Sequence, residues 1–203
     1  MKEPQEVPSG CAPPAYWEEA RLYLGKQDPT LASLMDASFL RSQGSGFCTL
    51  VHSIVGQQIS VKAAQKITER LQIAHPGDVQ RFSPEDLLAA GLSRQKVTYI
   101  VGLAQFWKTE AWKTWPLLSD EALKRALITL KGVGPWTAEM FLIFHCRRPD
   151  VFPQADLGVQ KAITTLYKIS QEEILELSER WRPYRTVATW YLWRSLDAIP
   201  VEY

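Results

Sequence analysis

Apolar residues recur at three- and four-residue spacing along almost the whole chain, and alternating β-branched runs are nearly absent, so the pattern predicts an all-helical fold. The punctuation between apolar stretches agrees. Ser83-Pro84-Glu85-Asp86 supplies an N-cap, a first-turn proline and two first-turn acids ahead of Leu87-Leu88-Ala89-Ala90, and Gly91 ends that short helix. Ser93 caps the next, from about Arg94 to Trp107, and Ser119-Asp120-Glu121 opens another that runs to Leu130. Ser170-Gln171-Glu172-Glu173 reads as a capping box for a helix near 171–180. Further helices are expected near 15–24, 29–36, 47–72 and 157–167, and Pro183 interrupts the last apolar stretch before a helix over Thr186 to Leu196. Residues 1–14, polar and Pro-rich, read as a flexible tail.

A chain of 203 residues, 46% of them hydrophobic, can bury one core or two small lobes sharing a cleft. The tail lacks the apolar centre of a signal peptide and no later run is long enough to span a bilayer, so a soluble intracellular protein with no membrane partner is expected. Cys11, Cys48 and Cys146 are too few and too scattered for a disulfide framework or a four-cysteine metal or cluster site. His52, His75 and His145 lack paired metal spacing and read as packing or surface residues. A formal charge of +1 gives no global electrostatic footprint for nucleic acid. Eight tryptophans is a high count, most of them expected in the core and some on a pocket wall.

The informative stretch is Leu130-Lys131-Gly132-Val133-Gly134-Pro135-Trp136-Thr137-Ala138, between two helical patterns. Two glycines end the first helix and permit positive φ, and Pro135 suits the first turn of the second. A tight hairpin of this kind leaves backbone N–H groups at the second helix's N-terminus, where the dipole favours an anion, so it can hold a phosphate without net positive charge. For Gly-x-Gly alone, a plain helix-helix corner with a Gly cap is the better explanation.

Leu130 to Ala138, followed by Asp150-Val151-Phe152-Pro153-Gln154-Ala155-Asp156, resembles the helix-hairpin-helix and Gly/Pro/Asp signature of the DNA base-excision glycosylases. Ile54-Val55-Gly56-Gln57-Gln58-Ile59-Ser60-Val61-Lys62-Ala63-Ala64 and Gly91-Leu92-Ser93-Arg94-Gln95-Lys96 are similar to the 3-methyladenine DNA glycosylase II branch, and the likeness runs from Phe47 to Arg194. The resemblance implies an all-α fold of two lobes with the active cleft between them: a central lobe over 30–135 ending in the hairpin, and a second lobe from 15–29 plus 136–203. It also implies a compact form, since the helical pattern begins by Ala15 where longer members carry an extra N-terminal sheet domain.

The implied activity is flipping and hydrolytic excision of alkylated purines such as 3-methyladenine and 7-methylguanine from double-stranded DNA, by a monomer acting at the bacterial nucleoid in the cytoplasm or in a eukaryotic nucleus. By itself Asp156, just ahead of an apolar helical pattern, is an N-cap; in the resembled signature it is the catalytic carboxylate. A fixed carboxylate near C1′ stabilises the oxocarbenium-like charge that develops as the base departs. At about 4 Å and an effective dielectric near 20 that attraction is about 4 kcal/mol, worth roughly a thousandfold in rate. Bifunctional relatives carry a Schiff-base Lys where this chain has Trp136, which implies hydrolysis alone and an abasic product. Trp136 and Trp193 occupy places where the branch lines its base pocket, with core packing as the plain alternative. In the resembled branch a loop enters the minor groove and a residue of it fills the gap left by the flipped base; Gln57 and Gln58 occupy that place, Gln58 at the wedge position, with a solvated helix start as the plain alternative. Lys131, Gly132, Val133 and Gly134 are the expected phosphate contacts. No cofactor is required and no iron-sulfur cluster fits three scattered cysteines, while a monovalent cation at hairpin carbonyls is implied by the family alone. Two alternatives stay open: a catalytically silent protein that binds damaged DNA, and a glycosylase for deaminated, mismatched or exocyclic-adduct bases.

Overall fold

A computed structural model describes residues 12–41 and 44–196, and their regular structure is helical throughout. The helices are α1 (Trp17–Gln27), α2 (Pro29–Leu34), α3 (Gly46–Gly56), α4 (Val61–Leu71), α5 (Pro84–Ala89), α6 (Arg94–Trp107), α7 (Asp120–Ile128), α8 (Pro135–Met140), α9 (Leu157–Tyr167), α10 (Ile174–Glu179) and α11 (Arg185–Leu196). Short 3-10 segments cover Pro76–Arg81 and Ala111–Leu117, and a π turn, Phe141–His145, prolongs α8. The all-α expectation holds, and three of the expected caps, Ser83, Ser93 and Ser119, fall where the sequence places them. Ser83 and Asp86 form a reciprocal capping box, and Ser93 and Ser119 accept N–H bonds from Lys96 and Ala122.

Two expected helices are corrected. The stretch 47–72 is broken into α3 and α4, because Gln57 turns extended, Gln58 enters the left-handed region at φ 58°, and Ser60 caps a new helix through Ala63 N–H. The helix expected near 171–180 begins only at Ile174; Glu173 reaches back to the Ser170 N–H at 2.9 Å, but no side chain caps α10. The expected tail, 1–14, lies outside the described residues except for its last three.

The described residues divide into two compact units, one over 44–141 and the other over 12–41 and 142–196. The segment 30–41, expected with the central lobe, therefore belongs to the second unit, and 136–141 to the first. The first unit is organised around α3, which packs on α4, α6 and α8 and buries Phe47, Leu50, Val51, Ile54 and Val55. The Ala111–Leu117 segment, unforeseen in the periodicity, brings Trp115 edge-on to Trp107 and Phe141 and stacks it on Phe106.

The second unit packs α11 on α9, α2 and α1. Its polar centre is Asp28, 3% exposed. Oδ1 caps α2 by accepting the Thr30 and Leu31 N–H groups at 3.0 and 3.1 Å, while Oδ2 accepts the Tyr167 hydroxyl at 2.8 Å and the Trp181 indole N–H at 2.9 Å. Burial, then the bond to Asp28, pushes the Tyr167 hydroxyl far up, so it remains a donor. A buried carboxylate survives when its lone pairs are answered in this way. This node draws α2 into the second unit.

Asp28→Ala strands two buried donors and removes a cap, so urea denaturation should show a loss of about 3 kcal/mol. A loss under about 1 kcal/mol would contradict the importance of this node.

Candidate functional site

In the first unit, α7 and α8 form the expected hairpin, braced by Lys124 Nζ on Glu139 at 3.1 Å. Gly132 sits at φ 88°, and a Cβ there would lie 2.3 Å from the Tyr99 ring, so both the backbone and the close approach of α6 require glycine. Val133 plugs inward, 4% exposed, with its N–H on the Leu130 carbonyl at 3.0 Å. Gly134 is the N-cap of α8, with no side-chain cap, and a Cβ on it would meet nothing within 4 Å. Lys131 is exposed, and Trp136, in the first turn of α8, is half-buried.

The loop between α3 and α4 lies against this hairpin. The Gln57 side-chain amide donates to the Gly132 carbonyl and to Thr137 Oγ1, each at 2.9 Å. Gln57 is therefore tied to the hairpin, whereas Gln58, in the left-handed region, is exposed to solvent together with Ile59 and Ser60. Beneath them Lys96 Nζ donates to the carbonyls of Val55 and Gln57, each at 2.8 Å, and burial lowers its pKa. A polar cavity of about 410 Å³ is lined by Gln57, Gln58, Lys96, Tyr99, Gly132 and Gly134, among others. Lys96 and Tyr99 were not singled out as site residues from the sequence. Their i, i+3 spacing on α6 was the available signal.

In the second unit, Asp156 is the N-cap of α9. Its Oδ1 accepts the Val159 N–H at 2.8 Å and the Trp193 indole N–H at 2.9 Å. Gly158 makes room for this arrangement, because a Cβ there would come within 3.1 Å of Asp156 Oδ1 and 3.4 Å of the indole. Trp193 is stacked on Phe144 with centroids 5.8 Å apart and planes 13° from parallel. One indole face is thus occupied, and the ring acts on the carboxylate through its N–H. The loop leading to Asp156 is pinned where it begins: Arg185 holds Asp150 through Nε at 2.7 Å and Nη2 at 3.1 Å, and Thr186 Oγ1 accepts the Val151 N–H at 3.0 Å. Asp156 N–H then closes the turn on the Pro153 carbonyl at 2.9 Å.

The structure thus joins Asp156 with Trp193, and Gln57 with the hairpin. A single carboxylate fixed by two N–H donors can hold and orient a cation or a water molecule. Among the described residues no group of three or more His, Cys, Asp or Glu side chains could hold a metal.

Residues 51–183 match the family described as the HhH-GPD superfamily of base excision DNA repair proteins. The chain is 29% identical over 166 residues to a Bacillus subtilis protein named a putative DNA-3-methyladenine glycosylase, with 73% of this chain and 58% of that protein covered. It is 32% identical over 164 residues to DNA-3-methyladenine glycosylase 1 of Schizosaccharomyces pombe, covering 72% of this chain and 70% of that one. Among solved structures, the S. pombe 3-methyladenine DNA glycosylase in complex with abasic DNA superposes with a TM-score of 0.79 at 26% identity, over 87% of this chain and 96% of that one. A Bacillus halodurans DNA-3-methyladenine glycosidase gives 0.70 at 31% identity, over 88% and 89%. The chain therefore spans little more than half of some relatives and nearly all of others, and on this matched core it belongs to the HhH-GPD superfamily of base excision DNA repair proteins.

Proposed function

We propose that the protein is a monofunctional DNA glycosylase that flips alkylated purines, 3-methyladenine and 7-methylguanine among them, out of duplex DNA and hydrolyses their N-glycosidic bond. The observation that carries this reading is the Asp156 carboxylate, fixed at the head of α9 by Val159 and Trp193 in a chain of this superfamily. The relatives' names and the abasic-DNA complex of the S. pombe enzyme supply the substrate class.

In the proposed reaction the C1′–N bond breaks with its electron pair leaving on the base. An alkylated purine is already cationic, so its departure needs no dedicated acid. Positive charge grows on the sugar, where Asp156 stabilises it, and water adds to C1′, giving up its proton to Asp156 or to solvent. Trp136, lacking an amine, forms no Schiff base, so the strand stays intact beside the abasic site. Its indole offers a stacking face worth roughly 1–3 kcal/mol for a flipped base. The protein acts as a monomer. The hairpin backbone around Gly132 and Gly134, with Lys131, takes a phosphate, and Gln58 fills the vacated stack. A monovalent cation at hairpin backbone carbonyls is implied by the family alone, and no step of the reaction passes through it. A silent damage-binder would need Asp156 only as the cap of α9, a role that asparagine fills about as well.

The direct test is to incubate the protein with methylated duplex DNA, separate free bases chromatographically and score nicks before and after alkali. Release of methylpurines with nicks appearing only after alkali is expected; release confined to uracil or mismatched thymine, or binding without release, contradicts the reading. Trp193→Phe keeps the stack on Phe144 and deletes the N–H donor, so kcat should fall roughly tenfold with KM for DNA little changed. Equal losses in both would instead mark Trp193 as a contact for the base. Gly134→Ala adds a methyl group that meets no protein atom within 4 Å, so melting should be almost unchanged while DNA affinity drops about tenfold. Wild-type affinity would show that the backbone at Gly134 does not face DNA.

A further inference from the structure

Gln58 is a non-glycine residue held at φ 58°, a conformation that persists only where the surroundings over-determine it. Those surroundings are unusual. Helix α3 ends at Gly56, where the Ile54 and Gly56 carbonyls accept the Gln57 and Ile59 N–H groups at 3.3 and 3.4 Å; the Val55 and Gln57 carbonyls have no such local donor among these bonds. Instead a lysine from another helix, 41 residues along the chain from Val55, places its ammonium between the Val55 and Gln57 carbonyls. The two bonds, each 2.8 Å, hold the Lys96 side chain and the Val55–Gln57 turn in one fixed arrangement.

The same turn is tied from its other side. The Gln57 amide crosses 75 residues of sequence to the Gly132 carbonyl, at the hairpin's left-handed glycine. One helical turn beyond Lys96, Tyr99 packs its ring on that same glycine, with its hydroxyl hydrogen-bonded to Gln95. One face of α6 thus carries both elements that present themselves to solvent here, the Gln58 loop through Lys96 and the hairpin through Tyr99.

We propose that Lys96 is a positioning residue for base flipping: by fixing the Gln57 carbonyl between α6 and the hairpin-bound Gln57 side chain, it holds Gln58 at a set distance from the hairpin's phosphate grip. The proposal rests on the reading of Gln58 as the residue that enters the base stack. Lys96 itself touches neither the base nor the reacting atoms. Its effect is on where the plug stands when the hairpin has closed on the backbone, so binding of the strand and insertion into it become separable.

The test uses Lys96→Met, which keeps the stem and removes the ammonium, and Lys96→Arg, which restores charge and donors. Insertion is read by the fluorescence of 2-aminopurine placed beside a tetrahydrofuran abasic-site analogue in duplex DNA, and the grip by the affinity for that same duplex. Lys96→Met should lose most of the fluorescence change and slow single-turnover excision by roughly tenfold to a hundredfold, with affinity altered by no more than about threefold. Lys96→Arg should recover both signals. Gln57→Leu removes the brace from its other end and should reproduce the Lys96→Met loss, which keeps the test open if one variant folds poorly. A wild-type fluorescence change in Lys96→Met, or parallel loss of affinity and insertion, overturns the proposal. Because the fluorescence readout needs no base release, a wild-type protein that released no methylpurine would contradict the proposed activity while leaving the Lys96 brace to be judged on insertion.

Discussion

Two N–H groups converging on one carboxylate oxygen hold in place the side chain on which the proposed reaction depends. The Val159 amide makes Asp156 the cap of α9, and the Trp193 indole, carried on α11 and stacked on Phe144, fixes the side chain from the other side. The surrounding residues serve that convergence: Gly158 leaves the room, the Asp150–Arg185 pair and Thr186 anchor the incoming loop, and α9 and α11 pack together beneath it. Capping α9 and the catalytic role proposed for Asp156 are therefore compatible, since both need the carboxylate held in one place.

A second constraint explains how a chain of net charge +1 can be suited to a polyanion. The hairpin presents backbone rather than a basic surface, and backbone presentation demands geometry: a left-handed Gly132 pressed on Tyr99, an extended Gly134 with open space beside it, and a Lys124–Glu139 pair clamping the two helices. The phosphate contacts proposed for the hairpin would position a duplex without reading its sequence. On this account lesion selection falls to the flipping step, to the ease with which a damaged base leaves the stack and to what fills its place.

Much of this was legible in the chain because it is local. Ser83, Ser93, Ser119 and Asp156 announce caps through their own spacing, and Gly132-Val133-Gly134-Pro135 announces a hairpin. The break at Gln57–Ser60 was marked by Gly56 and Ser60, but the apolar periodicity runs on across it and suggested one long helix. What stayed hidden depends on distant partners. Nothing near Gln57 reveals that its amide belongs to Gly132, nothing near Trp193 reveals its bond to Asp156, and nothing near Asp28 reveals that Tyr167 and Trp181 fold onto it. The same long-range node is what draws α2 into the second unit against the expected boundary at residue 30.

The central claim is that the charge of Asp156, beyond its role as a cap, drives base departure. Asparagine caps helices about as well as aspartate, so Asp156→Asn isolates the charge. Single-turnover release of methylpurines from methylated duplex DNA, measured beside melting temperature and affinity for abasic-analogue DNA, decides the matter. The account predicts that release slows by roughly a thousandfold while stability and affinity stay near wild type. Release within about tenfold of wild type would contradict it and move the source of catalysis away from this carboxylate.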